Sequence, residues 1–101
     1  MLVAVTGANG FVGNHLVNHL NEKGFKVKPI IRDNKNNNLD PDTEWKNTLE
    51  GVEILIHCAS RVHIMKENIK NSMAIYRKIN VEGTRKLATQ AIEIGVKKII
   101  F

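Results

Sequence analysis

At 101 residues, with 43% hydrophobic and 25% charged side chains, the chain has the composition of one globular domain, which excludes a disordered tail and a collagen-like repeat. Its single cysteine, Cys58, excludes a disulfide framework and a cysteine-rich metal site and suits a reducing compartment. Fifteen Lys and Arg against ten Asp and Glu give a net charge of +5, but the charges are scattered. Arg85-Lys86 and Lys97-Lys98 are far apart, and Trp45 and Tyr76 stand alone, so no stacking platform is offered and no nucleic-acid partner is expected. No apolar run approaches the roughly 20 residues that cross a bilayer, so no membrane partner is expected either. The opening Leu2-Val3-Ala4-Val5 carries no basic region, and a cytoplasmic location is the expectation.

Leu2 to Thr6 is a short apolar run that meets Gly7 and Gly10, the pattern of a buried strand ending in a glycine-rich turn. From Phe11 to Lys23, Phe11, Val12, Leu16, Val17 and Leu20 recur at helical spacing, and Gly24 supplies the stop. Lys26 to Ile31 predicts a second strand, with Pro29 marking an irregularity or an exposed edge because it has no N–H to donate. The asparagine-rich stretch 33–40 is a surface loop or a weak third strand. Pro41-Asp42-Thr43-Glu44 has the pattern of a helix start, which predicts a short helix with Trp45 and Leu49 on its buried side and Gly51 at its end.

Val52 to Ala59 contains Ile54-Leu55-Ile56, apolar on both faces as a central parallel strand must be. A long helix capped by Asn71 or Ser72 runs to Ile94 and Gly95, with Ile75, Ile79, Leu87, Ala91 and Ile94 near its inner face. Gly83 interrupts it, at about 1 kcal/mol relative to alanine, and predicts close packing or backbone approach there. Val96 to Phe101 is the last strand. The expected fold is α/β, a Rossmann-type parallel sheet of order 3-2-1-4-5 flanked by helices, with the asparagine-rich segment as strand 3. Residues 1–101 then form one domain portion, truncated after strand 5.

The turn Thr6-Gly7-Ala8-Asn9-Gly10-Phe11-Val12-Gly13 spaces three glycines between a strand and a helix. Gly7 can take the tight turn, Gly10 admits backbone to a pyrophosphate, and Gly13 lets the helix pack closely. The helix N-terminus adds free N–H groups and positive dipole. No Gly-Lys-Ser/Thr closes the turn, which excludes a nucleoside-triphosphate P-loop. The adenine-side ribose is read at the end of strand 2, at Ile31-Arg32-Asp33. An acid there accepts from the 2′-OH of NAD, whereas Arg32 would accommodate the 2′-phosphate of NADP. NADP is favoured, with NAD kept open by Asp33. His15 and His19, at i and i+4, read as a surface pair and not a metal site, and His57 and His63 as partners of backbone groups.

The Gly-x-x-Gly-x-x-Gly spacing, with His57-Cys58-Ala59-Ser60 and Asn80-Val81-Glu82-Gly83-Thr84, resembles the extended short-chain dehydrogenase/reductases, the nucleotide-sugar epimerases and dehydratases. The stretches Pro41-Asp42-Thr43-Glu44-Trp45 and Arg61-Val62-His63-Ile64-Met65 are most similar to a bacterial branch of UDP-glucose 4-epimerase-like proteins and 4-keto reductases that make UDP-N-acetyl-quinovosamine or fucosamine. The resemblance implies that Asn9, Gly10, Phe11 and Val12 line the pyrophosphate, and that Ala59 and Ser60 pass beneath the ribose and nicotinamide. It further implies that Asn80 fixes backbone and a water, and that Asn38-Leu39 meets the adenine. The alternatives are close packing for Ala59 and Ser60 and local capping for Asn80.

The family's catalytic Tyr-x-x-x-Lys lies beyond strand 5, and Tyr76 is followed four residues on by Asn80, so the resemblance assigns no catalytic residue here. The expectation is the cofactor-binding half of a longer enzyme that moves hydride at C4 of a UDP-sugar. A stand-alone NADP-binding module is the alternative. An unpaired strand at residues 96–101 would expose an apolar edge and drive self-association.

Overall fold

The computed structural model describes residues 1–31, 43–59 and 78–101. Four parallel strands form its centre: β1 (Leu2–Thr6), β2 (Lys26–Ile30), β3 (Ile54–His57) and β4 (Lys98–Ile100), in the spatial order β2-β1-β3-β4. This is the 2-1-4-5 portion of the expected Rossmann-type order, and the asparagine-rich segment assigned to strand 3 lies outside the described residues. Helix α1 (Phe11–Glu22) connects β1 to β2, and helix α2 (Thr84–Glu93) precedes β4. Among the described residues no helix is long and apolar enough to cross a membrane.

β1 is central because nearly all of it is apolar, and Val3, Ala4, Val5 and Thr6 are buried. Its register runs Leu2 to Thr6 against Lys26 to Ile30 on one side and Val3 to Thr6 against Ile54 to His57 on the other. Pro29 does not interrupt the ladder. It pairs with Val5 on β2, which is the edge of the described sheet, and stays exposed where a missing N–H leaves no buried orphan. α1 ends as its sequence requires: Lys23 closes the last turn and Gly24 takes φ +88°.

A buried cluster of Ala4, Ile30, Trp45, Leu49, Val52, Leu55, Leu87, Ala91 and Val96 lies on one face of the sheet, while Val3 and Val5 of β1 are buried on the other. Trp45 and Leu49 reach the cluster from a different conformation than the short helix that their spacing predicts. Residues 46–51 form turns: Leu49 N–H bonds Trp45 O at 2.9 Å, but the next bonds fall at i+3, from Glu50 to Asn47 and Val52 to Leu49. The turns end at Gly51, which takes φ +79°, and the buried Gln90 side chain of α2 accepts from Trp45 N–H, so the segment is anchored at its start as well. Lys28 Nζ donates to Thr48 O on the other side, so this segment is held between β2 and α2.

The long helix expected over 71–94 is described from Lys78. It runs as a π-helical turn over Lys78–Gly83 and then as α2, continuous through a buried Gly83 with helical dihedrals. Leu87 and Ala91 face the core as their spacing predicts. β4 is shorter than the run 96–101, and Ile100 and Phe101 are exposed. α1 departs from its pattern at one end. Leu16, Val17 and Leu20 are half-buried, but Phe11 and Val12 stand in solvent, because the first turn lies over the carboxyl end of the sheet and not against its face.

Candidate functional site

All four strands run the same way, so Thr6, Ile30, His57 and Ile100 end at one edge of the sheet. β2 lies to one side of β1 and β3 to the other, so the strand order reverses between β1 and β3. A crevice at such a reversal is where α/β sheets take ligands. The glycine turn fills this position.

Gly7 has φ +65°, and a Cβ on it would stand 2.8 Å from Ala59 N and 2.9 Å from Ala59 Cα. Only glycine lets the turn pass so close to the chain leaving β3. The turn is tied down by Gly10 N–H to Gly7 O at 3.0 Å and by Ala8 N–H to Ile30 O at 3.3 Å. A Cβ on Gly13 would lie 2.1 Å from Gly7 O, so the tightest approach of α1 is to the turn's own carbonyl. Gly10 is different: it is exposed, and a Cβ there would meet only Gly7 O at 3.3 Å.

Gly10 caps α1 without a side-chain hydrogen bond, and the first turn contains no acid. The leading N–H groups therefore have no carbonyl within the helix and no neutralising carboxylate, the arrangement that favours an anion. Asn9, Phe11 and Val12 surround this end and are exposed. The Phe11 ring packs edge-to-face with the His15 ring, at 4.8 Å between centroids. The site thus gathers Gly7, Asn9, Gly10, Phe11, Val12, Gly13 and Ala59. Arg32, Asn38, Leu39, Ser60 and His63 lie outside the described residues, and Asn80 falls within the π-helical turn.

Beneath the turn lies a polar cluster that the sequence reading did not assemble. Thr6 Oγ1, buried, accepts from Cys58 N–H at 3.0 Å and Ala59 N–H at 3.1 Å. It also lies 2.7 Å from His57 Nδ1, and His57 Nε2 lies 3.2 Å from Thr84 Oγ1. A hydroxyl has two acceptor sites and one proton. With both acceptor sites engaged by backbone, Thr6 donates to Nδ1, which fixes His57 as the neutral tautomer with its proton on Nε2, donating to Thr84. Burial acts in the same direction and holds the imidazole below its ordinary value. The expectation that His57 satisfies backbone groups is corrected: its partners are two hydroxyls. The pointer in the sequence is Thr6 as the last residue of β1, in register with His57. Burial also pushes the Cys58 thiol up, which keeps it neutral.

The model of the NAD dependent epimerase/dehydratase family matches residues 3–101. A UDP-glucose 4-epimerase from Vibrio cholerae is 36% identical over 109 positions, covering 98% of this chain and 33% of that protein. The structure of a Thermotoga maritima UDP-glucose 4-epimerase with UDP-glucose superposes with a TM-score of 0.74 at 25% identity, covering 100% of this chain and 37% of that one. A Thermus thermophilus UDP-glucose 4-epimerase in complex with NAD gives a TM-score of 0.80 with the same coverage, at 21% identity, a likeness of fold. The chain spans about a third of the length of these relatives.

Proposed function

The chain belongs to the NAD dependent epimerase/dehydratase family, and on that premise we propose that residues 1–101 are the dinucleotide-binding part of a nucleotide-sugar epimerase or reductase acting at C4 of a UDP-sugar. The observation that carries the reading is the Gly7-Gly10-Gly13 turn at the reversal point of the sheet, with an uncapped helix N-terminus above it. Side chains at Gly7 and Gly13 would collide with backbone, while the space at Gly10 opens to solvent where a pyrophosphate would lie. Asn9, Phe11 and Val12 flank that position; Ala59, pressed against Gly7, and Ser60 after it in the chain would pass beneath the ribose and nicotinamide.

When bound, the nicotinamide supplies reversible hydride transfer. The residues of this chain bind and orient the cofactor, and no Tyr-x-x-x-Lys pair occurs among them, so no catalytic residue is assigned within residues 1–101. The adenosine half lies toward the end of β2, where Arg32 favours NADP over NAD by pairing with a 2′-phosphate. Asn38-Leu39 would meet the adenine, and Asn80 would fix backbone near the reacting end.

Titration of the intact protein with NADH and NADPH, followed by nicotinamide fluorescence, tests this reading. NADPH binding tighter than NADH, with the preference removed by Arg32→Ala, is the expected result. Absence of binding by either would sink the function. The same reading includes self-association of the 101-residue polypeptide along β4, which pairs with β3 alone among the described strands and leaves Ile100 and Phe101 exposed. A concentration-independent monomer in sedimentation would remove that part.

A further inference from the structure

We propose that His57 is a positioning residue for the dinucleotide: through Thr6 it fixes the backbone of Cys58 and Ala59 against Gly7, and through Thr84 it is itself held to the start of α2. The inference rests on the dinucleotide reading above and deepens it. Three separate elements meet at this imidazole: the end of β1, the end of β3 and the first residue of α2. The Thr6 hydroxyl proton can go to His57 Nδ1 only while that nitrogen carries a lone pair. If Nδ1 is protonated, Thr6 cannot accept from it while still accepting from both Cys58 and Ala59. One backbone N–H is released, and the contact that sets the width of the crevice beside Gly7 loosens.

Among the described residues, the groups recorded against the ring carry no charge. They are Thr6 on β1, Thr84 on α2 and the Phe101 ring at 5.9 Å beyond β4. The tautomer is therefore set by the two hydroxyls. A floor held in this way needs no rearrangement when the ligand arrives, which is how preorganisation strengthens binding.

Two near-isosteres divide the function of the ring. In His57→Asn, the amide oxygen occupies the place of Nδ1 and still accepts from Thr6. In His57→Gln, the amide nitrogen occupies the place of Nε2, and the Thr6 bond is lost. NADH and NADPH affinities are measured by fluorescence on the intact wild type and both variants between pH 5.5 and 8, with near-UV circular dichroism to establish folding. The tautomer is read from the imidazole 15N spectrum.

The expected result is affinity within about threefold of wild type for His57→Asn and a loss of about tenfold for His57→Gln, equivalent to about 1.4 kcal/mol. Wild-type affinity falls on acidification, whereas His57→Asn shows a flatter profile. Thr84→Val, which keeps the Thr6 bond, weakens binding less than His57→Gln and serves if the latter fails to fold. A folded His57→Gln that binds as wild type, a Thr84→Val that loses as much as a complete break, or a 15N spectrum with the proton on Nδ1 would each overturn the proposal. A wild type that binds neither nucleotide, with the Nε2 proton still seen in the spectrum, overturns the dinucleotide reading and leaves His57 a structural tie alone.

Discussion

A Cβ on Gly13 would sit 2.1 Å from the carbonyl oxygen of Gly7, so the first helix rests on the backbone of the turn that leads into it through one missing side chain. The neighbour is backbone, which cannot swing aside as a side chain can. Gly13→Ala must therefore push α1 away from the turn, at about 2 kcal/mol or more, in the upper range for overpacking. Dinucleotide affinity should fall with it, since the N–H groups and the turn move apart. Gly10→Ala separates the two effects. Its Cβ has a single neighbour at 3.3 Å, so stability should change by less than about 1 kcal/mol while binding falls at least about tenfold. Urea unfolding beside nucleotide titration measures both, and equal loss of stability in the two variants would contradict the geometry.

The sign of the pH dependence follows from His57. Its folded-state value lies below the ordinary 6.5 because burial disfavours the imidazolium. Between those two values the unfolded chain binds more protons than the folded one, so stability rises with pH through that window. The contribution is fully present above 6.5 and is lost as pH falls toward the folded value. His57→Asn removes the titration and should flatten the urea midpoint between pH 7 and 5. An unchanged slope in that variant would assign the dependence to other groups.

Gln90 ties residues 43–51 to α2. Its buried amide accepts from Trp45 N–H and donates to Glu44 Oε2 at 2.9 Å. Gln90→Leu keeps bulk but orphans a buried backbone N–H, at about 1–3 kcal/mol. A thermal scan should show Tm lower by about 4–8 °C for each kcal/mol in a domain of this size. Dinucleotide affinity in the folded variant should not change, because Gln90 lies on the core face and not at the carboxyl edge of the strands.

The residues that were legible in the sequence are those whose constraint is local. Leu2 to Thr6 is apolar without interruption, so it reads as a buried strand, and the glycine spacing reads as a turn because Gly7 and Gly13 each exclude a side chain. Trp45 and Leu49 were legible as core but not as a turn. Their segment is pinned by Gln90, 45 positions away, whose side chain accepts from Trp45 N–H, a contact that local spacing does not reveal. The Thr6–His57–Thr84 cluster is invisible for the same reason: its members are 51 and 27 residues apart and meet only through the parallel register of β1 and β3. Phe11 and Val12 fit the helical period, yet periodicity does not say that the first turn of α1 projects beyond the sheet.

That projection yields a prediction in which stability and binding move in opposite directions. Val12 is 65% exposed in a first turn that has no acid. A glutamate there meets the positive end of the helix dipole and should stabilise the folded protein by about 0.3–1 kcal/mol at low ionic strength. The same carboxylate takes the field that a pyrophosphate would use and repels it, so Val12→Glu should lose at least about tenfold in NADH and NADPH affinity. Val12→Gln, of equal size and no charge, should fall between wild type and the glutamate variant. Raising salt should narrow the gap between the two variants by screening the repulsion. If Val12→Glu binds as well as Val12→Gln at low salt, the anion does not lie at the N-terminus of α1, and the position assigned to the pyrophosphate is wrong.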